Sequence, residues 1–154
     1  MPPTTKAPSY KTGRTAVAEY AKRLDYLDQT TLALWAAECA EHVLPHFEVK
    51  HSDDHRPRKA IEAARAWARG EIAMAEARVA AVAAHAAARN CDHPAARAAA
   101  RATGHAAGTA HMSGHALQAA AYAVTAAVAA TPSQADAATA SERDWQIHQL
   151  PREP

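Results

Sequence analysis

Apolar residues recur along this chain at intervals of three and four, and proline, glycine and short charged runs interrupt them at regular points. That interval places them on one face of a helix, whereas strands would need strict alternation. The segment "TAVAEYAKRLDYLDQTTLALWAAECAEHVLPHFEVK" predicts a short helix over 15–27 with Leu24 and Leu27 inward. A second helix follows, capped by Thr30 or Thr31, carrying Leu34, Trp35, Glu38, Cys39, His42 and Val43, and bent or ended at Pro45. The charged connector "HSDDHRPRK" offers Asp53 or Asp54 as the next cap, with Pro57 in the first turn and Gly70 at the end.

The next helix repeats Ile72, Val79, Val82 and Ala86 at helical spacing and ends at Asn90, a residue suited to a left-handed terminus. "CDHP" restarts the pattern with Asp92 as cap and Pro94 just inside, and that helix runs to Gly108. "HMSGHALQAAAYAVTAAVAA" forms another helix ending before Pro132, and Ser133 caps a last one closed by Pro151. No alternating stretch and no Asn-Gly turn occurs. The fold class is therefore all-α, a compact helical bundle or short stack of αα-hairpins with about six to seven helices. Residues 1–14 read as a flexible N-terminal tail and 15–151 as a single helical domain.

An internal echo supports the hairpin reading. "DHRPRKAIEAARAWARGE" and "CDHPAARAAARATGHAAGT" both run cap, proline, helix, glycine, and each precedes a long alanine-rich helix. A period of that size is typical of helix-pair repeats. Alanine has the highest helix propensity and no bulk to hold axes apart, so the packing is expected to be close, with Trp35, Trp67, Trp145, Leu117 and Tyr122 as plugs.

Composition narrows the function classes. The chain has 154 residues and a formal net charge of +1, so no global field points to nucleic acid or membrane. Its longest apolar run, "ALQAAAYAVTAAVAA", is too short to span a bilayer. The N-terminal stretch lacks the apolar core of a secretory leader, and Cys39 and Cys91 read as free thiols of a cytoplasmic protein. A basic strip, Arg56, Arg58, Lys59, Arg65 and Arg69 with Arg97 and Arg101, is interleaved with Glu62, Glu71 and Glu76 and reads first as a solvated face.

The candidate chemistry is histidine. Ten occur, and "GHAAGTAHMSGHA" sets His105, His111 and His115 among three glycines. Three readings compete. His111 and His115, four apart, could share a helix face and hold zinc or another transition metal, though no HExxH accompanies them and Gly114 threatens the helix. The same histidines could serve helix ends, His105 near the terminal carbonyls and His111 beside free amides. Or His85, His105, His111, His115 and Tyr122, with Trp67 and the Arg65/Arg69 strip nearby, could build a polar ligand-binding site. His105, His111 and His115 are also the candidates for catalysis, since imidazole titrates near working pH. Cys91 and His93 lie too close in sequence for a nucleophile and its base, and no nucleotide-binding loop or serine-nucleophile motif occurs.

"LWAAECAEHVLPHFE", "DDHRPRKAIEAARAWARGE", "AAVAAHAAAR", "GHAAGTAHMSGHALQAAAYA" and "ERDWQIHQLP" together resemble a bacterial, chiefly actinobacterial, all-helical family of immunity proteins. The resemblance spans most of 30–151. It implies protection of a producing cell against a toxin or antibiotic and brings no catalytic residues with it. The expectation is a small cytoplasmic binding protein of the immunity or self-resistance type. It would sequester a protein toxin or small molecule in a His-lined pocket or on a helical surface, and homodimerise through an exposed alanine-rich face. The alternative is a small helical enzyme of natural-product biosynthesis or resistance, using histidine as acid, base or metal ligand.

Overall fold

The computed structural model describes residues 22–151; the predicted tail 1–14 and most of the predicted 15–27 helix lie outside them. Residues 22–24 are helical and 25–27 form a turn, so that element ends earlier than expected, with Leu24 buried. Seven α-helices follow: α1 Gln29–Val43, α2 Pro45–Glu48, α3 Arg56–Ala68, α4 Met74–Arg89, α5 Pro94–Gly108, α6 His115–Ala130 and α7 Ala135–His148, with a 3-10 turn at Pro132–Gln134. No strand occurs among the described residues. The all-α expectation is met.

α5 is the hub. It packs against α1, α2, α3, α4 and α6, while α7 packs on α6. Its sequence explains why. "PAARAAARATGHAAG" has small residues round most of its circumference, so five neighbours can approach it, and only a few positions reach solvent. Around this alanine rod the bulk comes from Trp35, Leu44, Phe47 and Ile61, all buried. Trp35 was expected as a plug; Leu44, Phe47 and Ile61 were not singled out. Trp67 and Trp145 are only half-buried, and Leu117 and Tyr122 flank the core.

α4 inverts the expected face. Val79 and Val82 are 71% and 60% exposed, while Ala77, Ala81, Ala84 and Ala88 are buried. The helix meets its neighbours through its smallest side chains. Two β-branched residues would hold it off.

Several helix ends also differ from expectation. Asp28, not Thr30 or Thr31, caps α1 by accepting from the Thr31 N–H at 2.7 Å. His55 stands at the cap of α3, although the Asp54 carboxylate accepts from the Arg56 N–H at 3.1 Å. His93, not Asp92, caps α5 through Nδ1. Asn90 keeps φ −88°, so it is not left-handed. Gln134, not Ser133, precedes α7, because the Pro132 turn uses up the serine.

The two glycines that the repeat aligned do different work. Gly70 adopts φ +76° and turns the chain out of α3, a conformation that penalises any Cβ. Gly108 stays helical and is buried.

Two polar ties cross the bundle. The Trp35 indole N–H donates to the Gln146 carbonyl at 2.9 Å, and the Gln146 amide donates to the Ala120 carbonyl at 2.9 Å, joining α1, α7 and α6. The Gln29 amide donates to the Thr109 and Ala110 carbonyls at 2.8 and 3.0 Å, which fixes the α5–α6 connection against the start of α1.

Candidate functional site

α5 carries two glycines one turn apart, Gly104 and Gly108, on the surface it shows to α4 and α6. A Cβ on Gly104 would lie 2.7 Å from the His85 ring of α4. A Cβ on Gly108 would lie 3.1 Å from Cγ of His115, the first residue of α6. Each glycine is thus a socket for an imidazole from a neighbouring helix, and His105 sits between the two sockets.

The rings form a continuous run. His85 meets His105 edge-on, with centroids 4.8 Å apart. His105 stacks on Tyr122 at 5.2 Å and on His115 at 5.0 Å. His115 in turn meets His111 at 4.9 Å. All five are half-buried, so the run is a strip of ring edges crossing α4, α5, the α5–α6 connection and α6. Five of the six expected ligand-binding residues are brought together. Trp67, in the last turn of α3, makes no ring contact with them among the described residues.

The expected helix face shared by His111 and His115 does not exist as such. α6 begins at His115, with Gly114 at its cap, so His111 belongs to the preceding turn. The two rings meet because that turn folds back, and His111 caps nothing in α6.

Nδ1 of His105 and Nδ1 of His115 are 2.8 Å apart, a hydrogen bond in which one ring donates and the other accepts. Two imidazoles on one tetrahedral metal, at about 2.0–2.1 Å each, would keep their nitrogens roughly 3.3 Å apart. Among the described residues no three histidine, cysteine or carboxylate side chains converge as a metal would require. The donor set therefore does not fit zinc as it stands. His42 is engaged elsewhere: it bonds Glu142 at 2.8 Å and stacks on Trp145 at 3.7 Å.

The electrostatics disfavour charge on three of the rings. Burial, with His85, His115 and Arg101 nearby, lowers the pKa of His105 to about 4. Burial lowers His85 too, helped by Arg101, His115 and Arg89. Burial and the neighbouring His111 lower His115. Nδ1 of His85 and Nδ1 of His111 are buried with no hydrogen-bond partner among the described residues. Such groups are costly to leave unsatisfied, at about 1–3 kcal/mol each.

Two cavities beside the bundle core lie away from the strip. One is lined by Leu117, Ala120, Ala121, Val124, Arg143 and Gln146, and another by Leu24, Leu27, Gln29, Leu32 and Gly114 with their neighbours. The imidazoles pack on one another and leave a surface instead of a chamber. The expected basic strip is balanced by carboxylates: Arg58 pairs with Glu48 at 2.8 Å, Arg69 with Glu71 at 2.8 Å, Arg56 with Asp54 at 2.7 Å, and Arg65 with Glu41. No helix among the described residues is long and apolar enough to cross a membrane.

Sequence reasoning missed Gly104 and Gly108 as sockets. Their spacing of four was visible, but the rings they receive come from other helices. A family model described as Imm-5 like putative immunity protein matches residues 22–153. No curated protein and no solved structure matches the chain.

Proposed function

The chain belongs to the Imm-5 like putative immunity protein family, and on that premise we propose that it acts by stoichiometric binding of a toxin. The binding surface is the ring strip of His85, His105, His111, His115 and Tyr122. The observation that carries this reading is the pair of glycine sockets, which bring imidazoles from three segments into one half-exposed row. An imidazole ring carries one nitrogen that can donate and one that can accept, so a row of them can meet either kind of partner group. Aromatic rings with a wet edge are favoured at protein interfaces. A row of edges without a chamber suits a protein toxin better than an enclosed small molecule. Protection would then be exerted in the cytoplasm of the producing cell.

The enzyme alternative is the weaker one. A general base works best with a pKa near the working pH, and His105, at about 4, is far too weak a base at neutrality.

The test is co-expression with the toxin encoded beside the chain's own gene. Survival is scored together with the stoichiometry and the mass of the recovered toxin. A one-to-one complex with unaltered toxin is expected, weakened about 30-fold or more by His111→Ala or Tyr122→Ala. Protection by far less than one equivalent, with a toxin of changed mass, would instead establish the enzyme.

A further inference from the structure

Across the bundle from the ring strip, two residues 40 apart in sequence meet: Sγ of Cys91 lies 3.3 Å from Nε2 of His51. We propose that Cys91 and His51 form a thiol–imidazole pair, and that this makes Cys91, and not Cys39, the position at which a small hydroperoxide oxidises the folded protein. A thiolate is the reactive form, and an adjacent imidazole that takes the thiol proton supplies it. The nearer acceptor decides the proton's path. Among the described residues, the other group bonded to the sulfur is the His93 carbonyl, at 3.6 Å.

Three further features favour the pair. Cys91 lies just before α5, a fifteen-residue helix, where the positive end of the helix dipole stabilises an anion. The Arg97 guanidinium donates to the Cys91 carbonyl at 2.9 Å and holds that turn in place. The His51 ring stacks on Phe47 at 5.0 Å, which fixes its plane toward the sulfur.

Access comes from the other side of that ring. His51 is half-buried and lines an open cavity of about 460 Å³ together with Lys50, Ser52, Asp53, Asp54 and Arg56. Cys91 is 1% exposed and touches that ring at Nε2. A swing of His51 toward the cavity connects the sulfur to solvent for a molecule the size of hydrogen peroxide.

Cys39 is the internal contrast. It is fully buried on α1, and burial, with Glu142 and Glu38 nearby, pushes its thiol up. No base is within reach of its sulfur among the described hydrogen bonds.

The reaction balances with the hydroperoxide as the one oxidant. Sγ attacks the near peroxide oxygen, the S–O bond forms and the O–O bond breaks. The leaving hydroxide takes the proton from the His51 imidazolium as water. The sulfur ends as a sulfenic acid, oxidised by two electrons, and the peroxide is reduced by two. The added oxygen has no space beside a sulfur this buried, so it must displace His51 into the cavity and move the 50–56 loop.

The experiment treats the full chain with hydrogen peroxide, traps sulfenic acid with dimedone and maps both cysteines by mass spectrometry between pH 6 and 9. Wild-type Cys91 is expected to be trapped at least about tenfold faster than Cys39. His51→Phe keeps a ring on Phe47 and removes the nitrogens; its Cys91 rate at pH 7 is expected to fall about tenfold. Equal trapping of the two cysteines in the wild type overturns the proposal. So does a His51→Phe protein whose rate is unchanged. The wild-type comparison decides the matter even if that variant does not fold.

Discussion

Gly104 and Gly108 differ in what a methyl group would strike. At Gly104 it meets the far edge of the His85 ring, which hangs on two rotatable bonds and is half-exposed. At Gly108 it meets Cγ of His115, one atom from the point where that side chain is anchored. The longer contact is therefore the less forgiving one. Gly108→Ala is expected to lower stability by about 1–3 kcal/mol in urea unfolding, since overpacking outweighs the gain in helix propensity. Gly104→Ala is expected to change stability by less than about 1 kcal/mol, but to push His85 aside. Ring-proton NMR should then show the pKa of His105 rising from about 4 toward its ordinary value as His85 leaves it. Neither outcome was legible in the sequence. The residues that make those glycines necessary sit on other helices, and only the fold reveals them. The clustering of His105, His111 and His115 was legible, because all three lie within eleven positions of one connection.

The helix is the scale at which α4 misleads. Its valines and its alanines lie on separate stripes, and both stripes are apolar, so periodicity alone cannot say which faces inward. Close packing decides it: α4 lies against α3 and α5 through residues that let backbones approach. Ala84→Leu is expected to cost about 1–3 kcal/mol, while Val79→Ser should stay within about 0.5 kcal/mol, both read from denaturant midpoints. A reversed order would mean that α4 is turned the other way. The hairpin echo fared better. Pro57 and Pro94 both open helices, and α3/α4 and α5/α6 both pair, although the glycines closing the first member of each pair diverge.

For the molecule as a whole, the histidine strip sets a pH dependence. His85, His105 and His115 all hold their protons less tightly when folded than when unfolded. Between about pH 6.5 and 4 the unfolded chain therefore binds more protons, and stability falls as pH drops through that window. The groups facing the strip act in the same sense: Arg101 and Arg89 are cationic, and each imidazole that charges repels the next. Of the three, His105 is pushed down to about 4, so its share of the loss falls in the most acidic part of the window. Urea midpoints measured from pH 7 to 4 are expected to fall steeply in the wild type and less so in His105→Asn. Equal slopes would place the acid sensitivity elsewhere in the chain.

The 2.8 Å contact between His105 and His115 joins like atoms on like rings, so it admits two proton arrangements that differ only in tautomer. In one, Nε2 of His105 accepts and Nε2 of His115 donates; in the other the polarity is reversed, and no heavy atom has moved. A single backbone shape can thereby present either sense of hydrogen-bond dipole to whatever settles on it. On the binding role proposed above, drift in a toxin that exchanges a donor for an acceptor at that spot would be met by relocating protons, with no new mutation required.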